Sequence, residues 1–264
     1  MRTRAGGLLL NLCPRSLYVA ARDAVAARDA VAVTRAPTAA DAPAGAAGAA
    51  GAAGAAGAAE DHARRVDYVT ALRTAEDAAF AQRCGLTRHD LPFEAPPVRG
   101  ARPFDLRDLK AQVARFRAPL LGAIEAFVRR HAPQPVDLFC PMGIGGHADH
   151  VASMIVVAQA LPVLSGRARV HFYEDLHYAS DAVARRTGLA RASIALGHAP
   201  LQRHAFALDA AALADKMAMI ALYASQHDGA PDARRFSPAA DAPAGPHEAV
   251  WSFPGAGPGA PFGA

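Results

Sequence analysis

Apolar residues along this chain keep two rhythms, and each rhythm marks a different kind of element. Leu8 to Cys13 is a short apolar run with glycine before it and Pro14 after it, which predicts a first buried strand. Val66, Val69, Leu72, Ala75, Ala79 and Phe80 recur at three-to-four spacing while Arg64, Arg65, Asp67, Arg73, Asp77 and Arg83 take other faces, so an amphipathic helix is expected, stopped at Gly85. Leu91 to Pro103 is proline-rich and reads as a loop. From Phe104 to His131 the stripe Leu106, Leu109, Val113, Phe116, Leu120, Ile124 and Phe127 predicts a long helix that Pro119 should kink or divide. A strand over Val136–Cys140 and a helix over Val151–Leu161 come next, followed by a strand over Arg169–Glu174. Ser180–Arg186 reads as a short helix and Ala192–Leu196 and His204–Leu208 as weak strands. The spacing over Asp209–Gln226 predicts a helix with Asp209 as N-cap. Val250 to Phe253, with Trp251, is expected as a last edge strand.

Alternation of strand and helix through the middle of the chain predicts an α/β fold, a Rossmann-like three-layer sandwich with a mainly parallel sheet. No Gly-x-Gly-x-x-Gly follows the first strand, so a dinucleotide cofactor is not expected. The organisation reads as an N-terminal strand region (1–40), an Ala/Gly-rich linker (41–60), an α/β core (61–227) and a Pro/Gly/Ala-rich tail (228–264). In the first of these, Arg22–Ala27 is repeated almost unchanged as Arg28–Val33, and Val31–Val33 reads as a strand or an alanine-rich helix. The linker holds five consecutive Gly-Ala-Ala units from Gly45, and glycine at every third position predicts a loop rather than a helix.

Composition changes this picture little. With 264 residues there is room for one α/β domain, and the 52% hydrophobic fraction is inflated by alanine, since aromatic residues make up 6%. Of the 28 basic residues only Lys110 and Lys216 are lysines, and the arginines are scattered, so the net charge of +4 marks no nucleic-acid face. Cys13, Cys84 and Cys140 are widely spaced with no Cys-x-x-Cys pair, which predicts free thiols. No apolar run is long enough to span a membrane, and the apolar part of the N-terminus is short and broken by Asn11; a cytoplasmic location is expected.

Candidate chemistry gathers at Val136-Asp-Leu-Phe-Cys-Pro-Met-Gly-Ile-Gly-Gly-His-Ala-Asp-His150. A strand, a tight glycine turn and a helix start place His147, Asp149 and His150 in the crevice beyond the carboxyl end of a strand, where open α/β sheets bind ligands. Histidines three apart share a helix face and can address one metal ion or one oxyanion. The glycines at 143, 145 and 146 leave a phosphate- or nucleotide-binding turn as another reading.

Gly143-Ile144-Gly145-Gly146-His147-Ala148-Asp149-His150 resembles the second signature of the PIG-L/LmbE family of zinc-dependent N-deacetylases. Phe172 to Tyr178, Arg73-Thr-Ala-Glu-Asp77 with Cys84-Gly85-Leu86, and Lys216 with Tyr223-Ala-Ser-Gln226 resemble further blocks of that family in the same order. The resemblance implies zinc as cofactor and removal of an N-acetyl group from an amino sugar or related small molecule. It implies His150 as the metal ligand, His147 as the catalytic acid or electrophile, and Asp149 as the group that keeps His147 charged and oriented. Arg73, Glu174 and Asp175 would then contact substrate.

The family's first signature, a His-Pro-Asp-Asp type sequence after the first strand, is missing: Cys13, Pro14, Arg15 and Ser16 stand there. Arginine cannot act as a base, and its charge opposes a nearby Zn²⁺. Three explanations stay open. The site is degenerate, a frame error displaces the signature, or ligands come from Asp137, Glu174, Asp175 or His177. The alternative to an enzyme is a catalytically inactive relative that binds or scaffolds.

Overall fold

The computed structural model describes residues 7–17, 47–134, 136–227, 231–239 and 243–255. The Arg22–Val33 duplication, with its Val31–Val33 element, lies outside the described residues.

Strand β1 (Gly7–Asn11) forms where the first apolar run predicts it and pairs in parallel with β2 (Leu86–Asp90), Gly7 opposite Leu86 and Asn11 opposite Asp90. The polar sequence Leu-Thr-Arg-His-Asp gives β2 no strand signal of its own; pairing to β1 is what makes it a strand. Helix α1 (Ala47–Cys84) ends where Gly85 takes the left-handed conformation, φ 67°, with its N–H on the Gln82 carbonyl at 3.2 Å. This helix begins well before Asp61, so part of the Gly-Ala-Ala tract is helical rather than a linker. Alanine is the best helix former and fills two positions in three. Extension from a helix already docked through Val66 and Val69 costs no new nucleation, which offsets ~1 kcal/mol per glycine.

Helix α2 (Leu109–His131) starts five residues later than the Phe104 expected from periodicity, and it runs through Pro119 without dividing. Phe116, Leu120, Ile124 and Val128 are buried along one face of α2, and that packing offsets the ~3 kcal/mol a proline costs in a helix interior. Strand β3 (Val136–Pro141) leads through a glycine turn into α3 (Ala148–Leu164), which returns to β4 (Ala168–Tyr173), a parallel neighbour of β3. Buried residues surround much of α3, among them Val151, Ala152, Met154, Val156 and Val157. It is thus a central helix covered from several sides.

Helix α4 (Ala182–Ala195) begins at Asp181, whose carboxylate accepts from the Val183 and Ala184 N–H groups. It absorbs residues 192–195 that alternation alone reads as strand, because Gly188 lets it lie directly on Ile144. Strand β5 (Gln202–Ala207) and helix α5 (Ala210–Ile220), capped by Asp209, form as expected, although α5 stops at Ile220 rather than Gln226. Strand β6 (His247–Ser252) contains Trp251 but is not an edge. It lies between β4 and β5, antiparallel to both, in the order β3-β4-β6-β5.

The result is a Rossmann-like α/β sandwich, with parallel pairs β1–β2 and β3–β4 and an antiparallel β5–β6 extension. Leu10, Leu12 and Cys13 pack on the same apolar cluster as β3, α2 and α3, which brings the end of β1 to the glycine turn. Among the described residues no helix is long and apolar enough to cross a membrane.

Candidate active site

The turn after β3 works only with glycine at certain positions. Gly145 has φ 86°, and a Cβ built on it would lie 2.4 Å from Cγ of Tyr178. The Tyr178 ring therefore rests on the turn. Ile144 N–H donates to Asp175 Oδ2 at 3.0 Å, and the Ala148 N–H, in the first turn of α3, donates to the Pro103 carbonyl at 2.7 Å. These bonds fix the exit from β3 and present His147 and His150 side by side, ring centroids 4.9 Å apart.

The two imidazoles differ in charge. His150 Nδ1 donates to Asp175 Oδ1 at 2.6 Å, and Asp175 is 1% exposed. Burial opposes the charged ring, but the hydrogen bond and charge of Asp175 outweigh it and raise the His150 pKa above its ordinary value. A carboxylate on Nδ1 also fixes the ring's orientation and leaves Nε2 as the nitrogen available for chemistry. His147 goes the other way: burial, then the neighbouring His150, lowers it to about 4, so the ring is neutral at pH 7. Its Nδ1 is buried and has no hydrogen-bond partner among the described residues.

The charge of Asp149 favours the protonated His147, as the resemblance implies, but burial outweighs it. The Asp149 carboxylate accepts from Arg99 Nη2 at 3.0 Å, Gln112 Nε2 at 2.6 Å and the Cys13 thiol at 3.3 Å, and none of these bonds is to His147. Spacing places Asp149 on a different face of α3 from the two histidines, and that face looks toward α2 and the end of β1. The contact with Cys13 joins the residue just beyond β1 to the His-x-Asp-His turn. Burial, and then the negative Asp149, push the Cys13 thiol well above its ordinary pKa. A cavity of about 670 Å³ opens on this side, lined in part by Arg99, Arg102, Asp105, Gln112 and Ala148.

Glu174 and Asp175, expected as substrate contacts, are both turned inward. Glu174 is 2% exposed; it accepts two bonds from Arg185, at 2.6 and 2.8 Å, one from Arg203 at 2.8 Å and one from Trp251 Nε1 at 2.9 Å. Burial alone would raise its pKa, but the two arginines hold it below the usual value. Asp175 orients His150, as above. Arg73 lies 3.9 Å from Glu76, which accepts from the Ser225 N–H and hydroxyl at 2.7 Å each. Next to it, Asp77 accepts from Asn11 Nδ2 at 2.7 Å, and Tyr223 is hydrogen-bonded to the same carboxylate. Asp77 thus borders the end of β1. Sequence reasoning missed Arg99 and Gln112, which carry no local signal and reach Asp149 from a loop and from α2.

A catalytic zinc takes three protein ligands and an open position. His150 and His147 offer nitrogens, but the donors needed from the first strand are replaced. The Cys13 thiol is hydrogen-bonded to Asp149 at 3.3 Å, and Arg15 turns to Asp67 and Glu94, at 3.6 and 3.7 Å. Asp137 is bonded to Arg169 and His171, Glu174 to its arginines, and the His177 ring lies against Tyr178. None of the four substitutes considered from sequence completes the pair, and among the described residues no three His, Cys, Asp or Glu side chains are disposed to hold a metal ion. The described residues do not fit a zinc centre.

Fold and site together define a Rossmann-like sandwich with a two-histidine turn beyond β3. Solved structures share that fold. The A40926 pseudoaglycone deacetylase Dbv21 matches with a TM-score of 0.50 at 19% identity, over 96% of this chain and 97% of that one. A deacetylase–teicoplanin complex from teicoplanin biosynthesis matches with a TM-score of 0.53 at 17% identity, over 93% and 97%. The zinc-inhibited form of teicoplanin deacetylase Orf2 matches with a TM-score of 0.50 at 14% identity, over 92% and 97%. No family model matches the sequence, and no curated protein matches it either.

Proposed function

We propose that this protein is a deacetylase-like amide hydrolase on the PIG-L/LmbE plan, directed at the N-acetyl group of an amino sugar or related small molecule. One observation supports this most. The chain leaves β1 and meets the His-x-Asp-His turn through Cys13 and Asp149, so the two segments that carry the chemistry in that family lie together here. The shared fold of the glycopeptide deacetylases agrees with it.

In this reading the neutral His147 ring hydrogen-bonds the polar group at the scissile amide. His150 is the ligand-type imidazole, backed by Asp175. Asp149 with Arg99 and Gln112 braces the first turn of α3, and Arg73 contacts the sugar. The resemblance implies zinc, and of the ligands it implies His150 is the one retained among the described residues.

A second reading, a relative that binds the sugar without hydrolysing it, is favoured by Cys13, Arg15 and Ser16 standing where two ligands and a base belong. Acetate release from N-acetylglucosamine in the presence of zinc, measured beside sugar binding by calorimetry, separates the two. Zinc-dependent release that disappears in His150→Ala supports the hydrolase. Binding without release, insensitive to chelator, supports the second reading, and neither binding nor release overturns both.

A further inference from the structure

Phe104 is 57% exposed, yet it is fixed beside the chemistry. Its ring meets His147 edge-on, centroids 5.7 Å apart at 85°, and Tyr178 edge-on at 5.9 Å and 80°. Tyr178 in turn faces His150 at 6.5 Å and 77°, and stacks near His177 at 4.6 Å. Scattered exposed apolar residues are ordinary on a protein surface. Phe104 differs because its position is determined from both sides. The carbonyl of the preceding Pro103 takes the Ala148 N–H in the first turn of α3, and Tyr178 is held against Gly145, where no Cβ fits. A phenyl ring held half in water beside His147 has apolar area to cover and no polar group of its own with which to read a hydroxyl.

We propose that Phe104, with Tyr178 behind it, is a specificity-determining wall for an apolar chain or ring carried by the amino-sugar ligand. This rests on the amino-sugar reading above and narrows it to substrates with a hydrophobic substituent close to the amide. Such a substituent has two sources, the acyl group on nitrogen or the aglycone at the anomeric carbon, and both present the same chemistry to the ring.

The test is calorimetric titration of the full chain with N-acetylglucosamine, N-octanoylglucosamine and phenyl N-acetyl-β-glucosaminide. Covering the exposed part of one phenyl ring predicts that an apolar-bearing ligand binds about tenfold more tightly than N-acetylglucosamine. The ligand that gains identifies the source of the substituent. In Phe104→Ala the affinity ratio between that ligand and N-acetylglucosamine falls to near one, while Phe104→Leu keeps part of it. Circular dichroism of both variants matching the parent shows that the fold is intact. Equal affinities for all three ligands, or a ratio that survives Phe104→Ala, overturns the wall and leaves the amino-sugar reading standing. No binding of any of the three overturns that reading too.

Discussion

Replacing Glu174 by glutamine separates the two roles that carboxylate could have. If Glu174 read a sugar hydroxyl, Glu174→Gln would weaken ligand binding and leave the fold nearly untouched. The geometry predicts the reverse. The side chain is fully buried and is the shared acceptor of Arg185, Arg203 and Trp251, which tie α4, β5 and β6 to the end of β4. Glutamine keeps the shape but removes the negative charge that the two guanidinium groups share. Breaking a buried ion pair from one side costs ~3–5 kcal/mol. Arg185 and Arg203 retain 16% and 18% exposure, so water relieves part of the strain, and the lower end, about 3 kcal/mol, is the expected loss. For a chain of this size that corresponds to a fall of about 6–12 °C in melting temperature.

The effect also depends on pH. Because Glu174 titrates below its ordinary value in the folded chain, its contribution is fully present above that ordinary value, 4.5, and is lost as pH falls through the folded one. Urea denaturation followed by circular dichroism at pH 7 and again below pH 4 therefore gives a gap between parent and variant that narrows in acid. A midpoint at pH 7 that moves by less than the equivalent of about 1 kcal/mol would refute the structural role.

Other expectations follow from the same geometry. His147 is neutral in the folded chain down to about pH 4, whereas its unfolded form takes a proton near 6.5, so acidification between those values destabilises the protein. His147→Gln should flatten that part of the pH–stability curve, and an unchanged slope counts against the burial of the ring. All three thiols are shifted upward by burial, Cys13 and Cys140 most strongly, so thiol-specific reagents at pH 8 should label the native chain slowly and the urea-unfolded chain at three sites. Fast labelling of Cys13 would show its side chain turned away from Asp149. Gly188→Ala would place a methyl 2.7 Å from the Ile144 Cα, part of the backbone of the glycine turn, and should cost at least ~2 kcal/mol in chemical denaturation. A neutral result would mean that α4 does not lie on that turn.

Much of this protein is legible from the order of its residues. Strands β1, β3 and β4 and helices α3 and α5 follow from apolar runs and caps, because those signals are local. So does the His-Ala-Asp-His turn, since three glycines between an apolar strand and a helix leave few backbone paths. What the chain order could not supply is where each side chain ends. Glu174 and Asp175 read as open carboxylates at a sheet edge, yet one is closed by arginines from α4 and β5 and the other by a histidine 25 residues away. Asp149 stands two residues from His147 and still turns to Cys13, Arg99 and Gln112, 136, 50 and 37 residues away in sequence. The placement of β6 between β4 and β5, and the strand character of β2, arise the same way, from partners that exist only after the sheet has formed. Periodicity reports which face of an element is apolar. A hydrogen bond between distant residues depends on how the elements are stacked, and here that stacking assigned the carboxylates.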